Sequence, residues 1–507
     1  SGGAVVTTGV VGTSPVNGGG TALSATAFVA GGTYTSLANV NDNFTGVYAA
    51  LNGTTINGNA GDTDTITFTD AVSFTAGAAG LNNGTNGGTI SNIKTLTLGN
   101  FANTVGFVNT AAGATTGITT INGGTGNDSV DFTNSGNSLL AGNVNLGLGN
   151  NTLTLETAKT YTGTFSAGAG VADILVATGA NIAGANVAGF ETLFLGGGAT
   201  TTLTAAQYNA FTTFNAAAGA DVVTLTTAGT ITGTTLAGTA GIESYNLANG
   251  TNSVTLALSG VNQTFTGGTG NDTFTTTAAN LAWKTLNAAG GTGDTLTVTD
   301  AIAAAFTLKA SSAAGAVVTG VEIVNFNAST GANVVTMFDG VATVNAAGGN
   351  FVLGTGGQTL ISSGAVTVTG GAGVDSITLS SGADTIDATN TIAGTRSTIG
   401  AIDTVTNFKV AGVDVFKTGT AATTLNLLSI ATADTSTLAA AIATAATAAG
   451  ASLAATTQAY VITVAAGTAA GTYAFQNVGG TVGTVDATDF IVKLVGAGSI
   501  VAGDFIA

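Results

Sequence analysis

The chain has 507 residues, among them 78 glycines and 1 proline; 44% are apolar and 7% charged, and 25 acids against 8 bases give a net charge of −17. So much apolar residue with so little charge excludes a disordered chain, glycine without a third-position period excludes collagen, and the acidity leaves no basic stripe for nucleic acid. Cysteine and histidine are absent, which removes disulfide frameworks, Cys–His and Ser–His–Asp catalysis and ordinary zinc sites, and no apolar run approaches the length of a membrane span.

The length allows either several ordinary domains or one long repeat array. Residues 1–55 are the least regular, with Pro15, the run Gly18 to Gly20 and a short helical stretch through Leu37 to Leu51; they predict an N-terminal cap or docking segment. From 56 to 394 the chain cycles between strand-like triplets and Gly/Asn turns, as in Asp64-Thr65-Ile66-Thr67-Phe68, Thr152-Leu153-Thr154-Leu155 and Asp294-Thr295-Leu296-Thr297-Val298. Threonine outside and Ile, Leu or Val inside is the period of strands with one buried face. The fold class this predicts is all-β, a parallel β-roll or β-helix-like solenoid.

A longer element recurs within this stretch. Ile93-Lys94-Thr95-Leu96, Phe190-Glu191-Thr192-Leu193, Ile242-Glu243-Ser244-Tyr245 and Val321-Glu322-Ile323-Val324 each read apolar, Glu (Lys once), then strand. Three of the four glutamates in the chain fall at this position. The economical reading is that each caps a turn or bonds neighbouring backbone amides in its coil.

Four stretches read Gly-Gly-x-Gly followed closely by Asp. In Gly370-Gly371-Ala372-Gly373-Val374-Asp375-Ser376-Ile377 the motif runs into a second copy, Gly382-x-Asp384-x-Ile386, whose aspartate lies nine positions after Asp375. That is the spacing of nonapeptide repeats in a calcium-binding β-roll. Glycines would take backbone angles closed to other residues and expose carbonyls, Asp would supply charge, and Ile377 and Ile386 would turn inward. Oxygen-only ligation in a large turn suits Ca²⁺ over Mg²⁺. The same reading extends to Gly123, Gly124, Gly126 and Asp128, and to Gly267, Gly268, Gly270 and Asp272. At Asp294, Asp62, Asp64 and Asp221 a calcium ligand and a plain turn former fit the sequence equally.

Residues 395–507 change character and predict a small α+β C-terminal module. Ile402 to Lys409 and Gly412 to Phe416 suggest two strands, Asp434 to Gly450 a helix, and Tyr460 to Val464, Tyr473 to Gln476 and Phe490 to Val495 three more strands. No basic-then-apolar leader is visible at Ser1; either it has been removed or the export signal lies elsewhere.

At these residues the chain resembles known families. The tandem from Gly370 to Asp387, with the turns ending at Asp128 and Asp272, is similar to the repeats-in-toxin (RTX) family. The Phe190-Glu191-Thr192-Leu193 and Ile242-Glu243-Ser244-Tyr245 strands resemble crystalline surface-layer (S-layer) proteins of the Caulobacter type. Ile402 to Ala507 is similar to the bluetail domain of bacterial surface proteins. The resemblance covers most of the chain after about residue 90. It implies type I secretion through an uncleaved C-terminal signal, folding on extracellular calcium and assembly at the cell surface. Two departures stand out: Gly290-Gly291-Thr292-Gly293-Asp294 lacks one residue before Asp, and Gly147-Leu148-Gly149-Asn150-Asn151 carries Asn in place of Asp. A turn of this kind is able to hold the coil without metal, which leaves Asp294 open as a ligand.

The expectation is therefore a secreted, extracellular structural protein without enzymatic activity. It would self-associate with calcium into a layer, fibre or matrix, with outer-membrane polysaccharide as a further partner. The competing expectation is a monomeric adhesin for host or polysaccharide ligands. Arg396 and Trp283 read as structural residues.

Overall fold

The computed structural model describes residues 26–36, 40–76, 89–108, 117–134, 140–170, 172–216, 218–232, 241–258, 260–302, 306–308, 317–328, 331, 333–389, 397–410, 412–451, 453, 456–478 and 483–507. The chain divides into two units, 1–249 and 250–507. Each is built largely of short parallel strands stacked coil on coil.

In the first unit one sheet runs through Asn43–Gly46, Thr65–Phe68, Thr95–Thr97, Thr120–Gly124, Asn143–Gly147, Thr164–Ser166 and Asn186–Ala188. A second runs through Ser73–Ala76, Thr104–Val108, Ser129–Asn134, Thr152–Thr154, Ile174–Val176, Thr192–Phe194 and Thr213–Asn215. The chain alternates between them, so each sheet supplies the crossover that parallel pairing in the other demands. Register stacks like on like: Ile66, Leu96, Ile121, Val144 and Phe165 are successive partners in one sheet. Val105, Val130, Leu153, Leu175, Leu193 and Phe214 are successive partners in the other. All of them are buried, each contributing about 1.5–3 kcal/mol for the larger side chains. Coil length varies, with 23 residues from Thr120 to Asn143 and 22 from Thr164 to Asn186.

The second unit repeats the principle. Val254, Phe274, Leu296, Val324, Val344, Leu360, Ile377 and Val405 are partners in sequence along one sheet. Val335, Phe351, Val368, Ile386 and Phe416 form the matching row of another. The two nonapeptides behave as expected, since Ser376–Thr378 and Thr385–Asp387 belong to different sheets and bury Ile377 and Ile386. Two nonapeptides thus make one coil, 17 residues from Thr359 to Ser376 and 18 from Thr367 to Thr385. The coil after them is larger, 28 residues from Ser376 to Thr404.

The stack continues past residue 394, for Asp403–Thr406 and Val415–Lys417 add one strand to each sheet. Phe490–Val495 then pairs in parallel with Asp403–Thr406, and the sheet turns antiparallel through Gly471–Gln476 and Gln458–Val464. Thr424–Ile430 lies at its edge, parallel to Gln458–Val464. The helix Leu438–Ala448 presents Leu438, Ile442 and Ala446 at four-residue spacing, packed with Leu428, Ile430, Tyr460, Ile462 and Phe475. This is the α+β module that the Ala/Thr run and its three following strands indicate.

Two expectations need correction. Within Leu37 to Leu51 the described residues form the strand Asn43–Gly46 and one 3₁₀ turn, Tyr48–Leu51, because Phe44 is buried in register with Ile66; residues 37–39 lie outside the described residues. The turn glycines Gly123, Gly124, Gly126, Gly370, Gly371, Gly373 and Gly382 do not adopt left-handed angles. Their requirement is proximity between coils. A Cβ on Gly371 would overlap the carbonyl oxygen of Gly354, and one on Gly126 that of Phe101.

Gly371→Ala should therefore lower stability by about 1–3 kcal/mol through overpacking against rigid backbone, whereas Gly400→Ala, where nothing lies within 4 Å, should leave it unchanged or slightly raised. Urea denaturation midpoints of the two variants measure the contrast.

Candidate functional site

All but one of the predicted aspartates occupy one structural position. Apart from Asp62, each sits at the start of a strand or immediately before it, turned inward, and one of its oxygens accepts a backbone N–H from one coil earlier. In the first unit Asp64 Oδ1 accepts from Asp42 N at 2.8 Å. A longer series follows: Asn103 N to Asp128 Oδ1 (3.1 Å), Asp128 N to Asn151 Oδ1 (2.9 Å), Asn151 N to Asp173 Oδ1 (2.6 Å) and Asp173 N to Glu191 Oε2 (2.9 Å). Asp221 accepts from Gly198 N and donates its own N–H to Glu243. In the second unit Asn252, Asp272, Asp294 and Glu322 form one series, each N–H donating to the next side chain at 2.6–2.9 Å. Gln358, Asp375, Asp403 and Ser397 form another at 2.7–2.9 Å. Val366, Asp384 and Asp414 form a third, at 2.7 and 2.9 Å.

The second oxygen holds the residue's own turn. Asp375 Oδ2 accepts from Gly371 N (2.8 Å), Asp128 from Gly124 N (3.3 Å), Asp272 from Gly268 N (3.1 Å), Asp384 from Ser380 N (3.1 Å) and Asp294 from Gly291 N (3.2 Å). A buried amide left without an acceptor costs about 1–3 kcal/mol, so each rung stabilises two corners. The three glutamates Glu191, Glu243 and Glu322 do what was expected of them, bonding backbone amides between coils.

Asparagine rungs differ instructively. The amide of Asn103 donates to the carbonyls of Gly99 and Phe101 (3.0 and 2.7 Å), and that of Asn151 to Gly147 and Gly149 (3.3 and 3.4 Å). Turn carbonyls four and two residues before the rung thus gather round a positive dipole end. Lys284 shows a related arrangement with full charge: its buried Nζ donates to the carbonyls of Leu258 and Val261 and to Gln263 Oε1 at 2.8–3.0 Å, and burial pushes it down to about 8.

Stacking acids is electrostatically costly. Burial, augmented by the neighbouring Asp375 charge, pushes Asp403 up to about 8. Burial likewise raises Asp128 and Asp375, with Asp414 adding to it at Asp384, Glu322 and Asp272 at Asp294, and Glu191 at Asp173. Among the described residues the ion pairs lie off these series, at Glu156–Lys159, Asp504–Lys409 and Asp387–Lys417.

The donors available to a metal are therefore carboxylate and carbonyl oxygens, the chemistry of a hard cation. A carboxylate offers about four lone-pair directions, and Asp375 spends two on amides. Among the described residues no three acidic side chains converge, so an ion at Asp375 or Asp384 would draw on turn carbonyls as well. Asp62 is only partly buried and accepts from Val40 N; Trp283 is exposed on a turn; Arg396 lies outside the described residues. Sequence reasoning missed Asp173, Asp403 and Asp414 as rungs, with Asn103, Gln358 and Ser397. The signal was present: Asp173-Ile174-Leu175, Asp403-Thr404-Val405 and Asp414-Val415-Phe416 share with Asp375-Ser376-Ile377 an acid, one residue, then a buried apolar one.

The Asp403 carboxyl keeps its proton in the fold up to about pH 8, while in the unfolded chain it loses it near pH 4. Its stabilising contribution is thus complete below pH 4 and lost as pH rises to about 8. Without divalent ions, the urea midpoint should fall between pH 5 and pH 8.5, and Asp403→Asn, which retains a side-chain acceptor, should flatten that fall. Equal slopes in the two proteins would show that Asp403 is not the group responsible.

Among the described residues no helix is long and apolar enough to cross a membrane. Comparison with protein-family models, curated proteins and solved structures finds no match, so the functional reading rests on the turn series and its chemistry.

Proposed function

We propose that this chain is an extracellular structural protein that self-assembles, with calcium, into a surface layer, fibre or matrix. The observation that supports it is the rows of buried carboxylates in successive coils, raised by burial and in part by one another, while the ion pairs among the described residues lie elsewhere. The groups that would hold calcium are Asp375 and Asp384 with the carbonyls of their turns, then Asp128, Asp272 and Asp294. Bound there, calcium would supply the positive charge that the asparagine rungs obtain from their own amide and that an aspartate lacks.

The chain's own residues set the threshold. Extracellular-type sites have dissociation constants of about 10⁻⁴–10⁻³ M, so in calcium-poor cytosol the acids repel and the coils are destabilised. That keeps the chain competent for export in the unfolded state. Outside the cell each filled site would stabilise the fold by roughly 1 kcal/mol at a few times its dissociation constant. Rigid coils then offer repeated uncharged Thr/Asn flanks for association.

Millimolar calcium should raise the urea midpoint at pH 7.5, and EGTA should reverse the rise. In the double variant Asp375→Asn/Asp384→Asn the amides supply their own donors, so the calcium-induced gain should shrink by roughly 1 kcal/mol for each replaced site. Electron microscopy with calcium should show ordered sheets or filaments that EGTA dissolves. A midpoint indifferent to calcium would overturn the calcium reading, and dispersed particles at all calcium concentrations would favour a monomeric adhesin.

A further inference from the structure

The strand Thr424–Ile430 ends its sheet: among the described residues it pairs only with Gln458–Val464. The register shows which backbone groups it leaves over. Thr424 N–H donates to Thr457 O, and Ile430 O accepts from Ala465 N, so the even-numbered residues face the partner strand. The amides and carbonyls of Leu425, Leu427 and Ser429 therefore point outward. Leu428 and Ile430 are buried beneath the helix Leu438–Ala448, whereas Leu427 is 74% exposed.

Edges of this kind are ordinarily blocked by charge, proline or a bulge. Thr424–Ile430 has none: its residues are Thr, Leu, Asn, Leu, Leu, Ser and Ile, and its pairing is regular over seven residues. The surroundings are as neutral. Between Lys417 and Asp486 the only charged residue is Asp434. In a chain of net charge −17, where copies repel over most of their surface, this region lets two copies meet without opposing charge.

The strand is also complementary to itself. About a two-fold axis at Leu427, an antiparallel second copy sets Leu425 opposite Ser429, Leu427 opposite Leu427 and Ser429 opposite Leu425. Every outward N–H and C=O then meets an outward partner, and the exposed leucines cover each other. We propose that Thr424–Ile430 is a homodimer seam, pairing antiparallel with the same strand of a second copy. The inference rests on the self-association proposed above and names one contact within it.

The absence of cysteine from the chain makes a direct test available. In the full chain with calcium, Leu427→Cys places a single thiol opposite its own copy, at the roughly 5.5 Å Cα separation of a hydrogen-bonded antiparallel pair, which lies within disulfide reach. Diamide should convert this variant to covalent dimer at least tenfold faster than Thr463→Cys, an exposed position on the neighbouring strand. Leu427→Lys, which leaves every bond to Gln458–Val464 in place, should sediment as a smaller species than the wild type, with unchanged circular dichroism. Equal crosslinking rates for the two cysteine variants would overturn the seam, as would a Leu427→Lys protein that sediments like the wild type. If Leu427→Lys still forms ordered assemblies while Leu427→Cys fails to crosslink, only the seam is refuted. A wild type monomeric at every calcium concentration would refute both the seam and the self-association.

Discussion

Parallel coils stacked about 4.8 Å apart satisfy their strands through the sheet ladders, but the corners between strands are another matter. There each coil carries an amide that no strand carbonyl reaches, in a place too crowded for solvent. The protein meets this need with a side-chain oxygen from the following coil. Asp375 serves Gln358 and Asp403 serves Asp375, so one interaction repeated along the corner fixes the register of the coils, and Ser397, six residues before Asp403, closes the series locally. The glycines follow from the same closeness. Where Gly371 passes Gly354 and Gly126 passes Phe101, a side chain of any size would push adjacent coils apart and lengthen these bonds.

Several side chains can provide that oxygen, and the choice among them determines the electrostatics. Asn103 and Asn151 accept the incoming amides of Val72 and Asp128 and also satisfy turn carbonyls with their own donors, so an asparagine corner is self-sufficient. An aspartate accepts two amides, as at Asp375, and brings a negative charge that burial penalises. Deep burial pushes Asp403 up to about 8, and the charge of the successive acid Asp375 adds to that cost. An array written with aspartate at most corners is accordingly responsive to protons and to any cation that its oxygens can hold, whereas one written with asparagine would be indifferent to both.

Much of the architecture is legible in the sequence because strand alternation is a local property. Thr-Leu-Thr at 152–154 and Ser-Ile-Thr at 376–378 need only a buried central residue to declare themselves, and the run of alanines with Leu438 and Ile442 four apart declares a helix. The rungs are harder to read because their partners lie in the neighbouring coil, 17 residues away for Gln358 and Asp375 but 28 for Asp375 and Asp403. Glycine-rich turns single out Asp128, Asp272, Asp375 and Asp384, although the role does not require the Gly-Gly-x-Gly motif. Asp173 and Asp414 perform it after turns of different composition, as Glu191 and Glu322 do with longer side chains. The role of the glycines is hidden for a related reason: closeness between coils is a tertiary property that no single turn displays.

A stack of parallel coils has no intrinsic end, since its last strand exposes the same groups as the one before. The second unit stops its array by changing strand direction. Phe490–Val495 adds in parallel to Asp403–Thr406, and Gly471–Gln476 then runs antiparallel to it, so the next addition no longer continues the coil. Phe416 stacks on Phe408 at 4.0 Å and packs with Phe490 and Phe505, which gives the final coil an aromatic floor in place of another aliphatic row. The amide series ends on Ser397, whose hydroxyl accepts from Asp403 and donates to the carbonyl of Ile491. A hydroxyl can terminate the series because it both accepts and donates, handing the last corner to the antiparallel sheet without adding a charge. The reversal transfers the open edge from the solenoid, whose strands are three or four residues long there, to Thr424–Ile430, which has seven. The longest uncharged edge among the described residues of this unit is thus a product of the device that ends its coils.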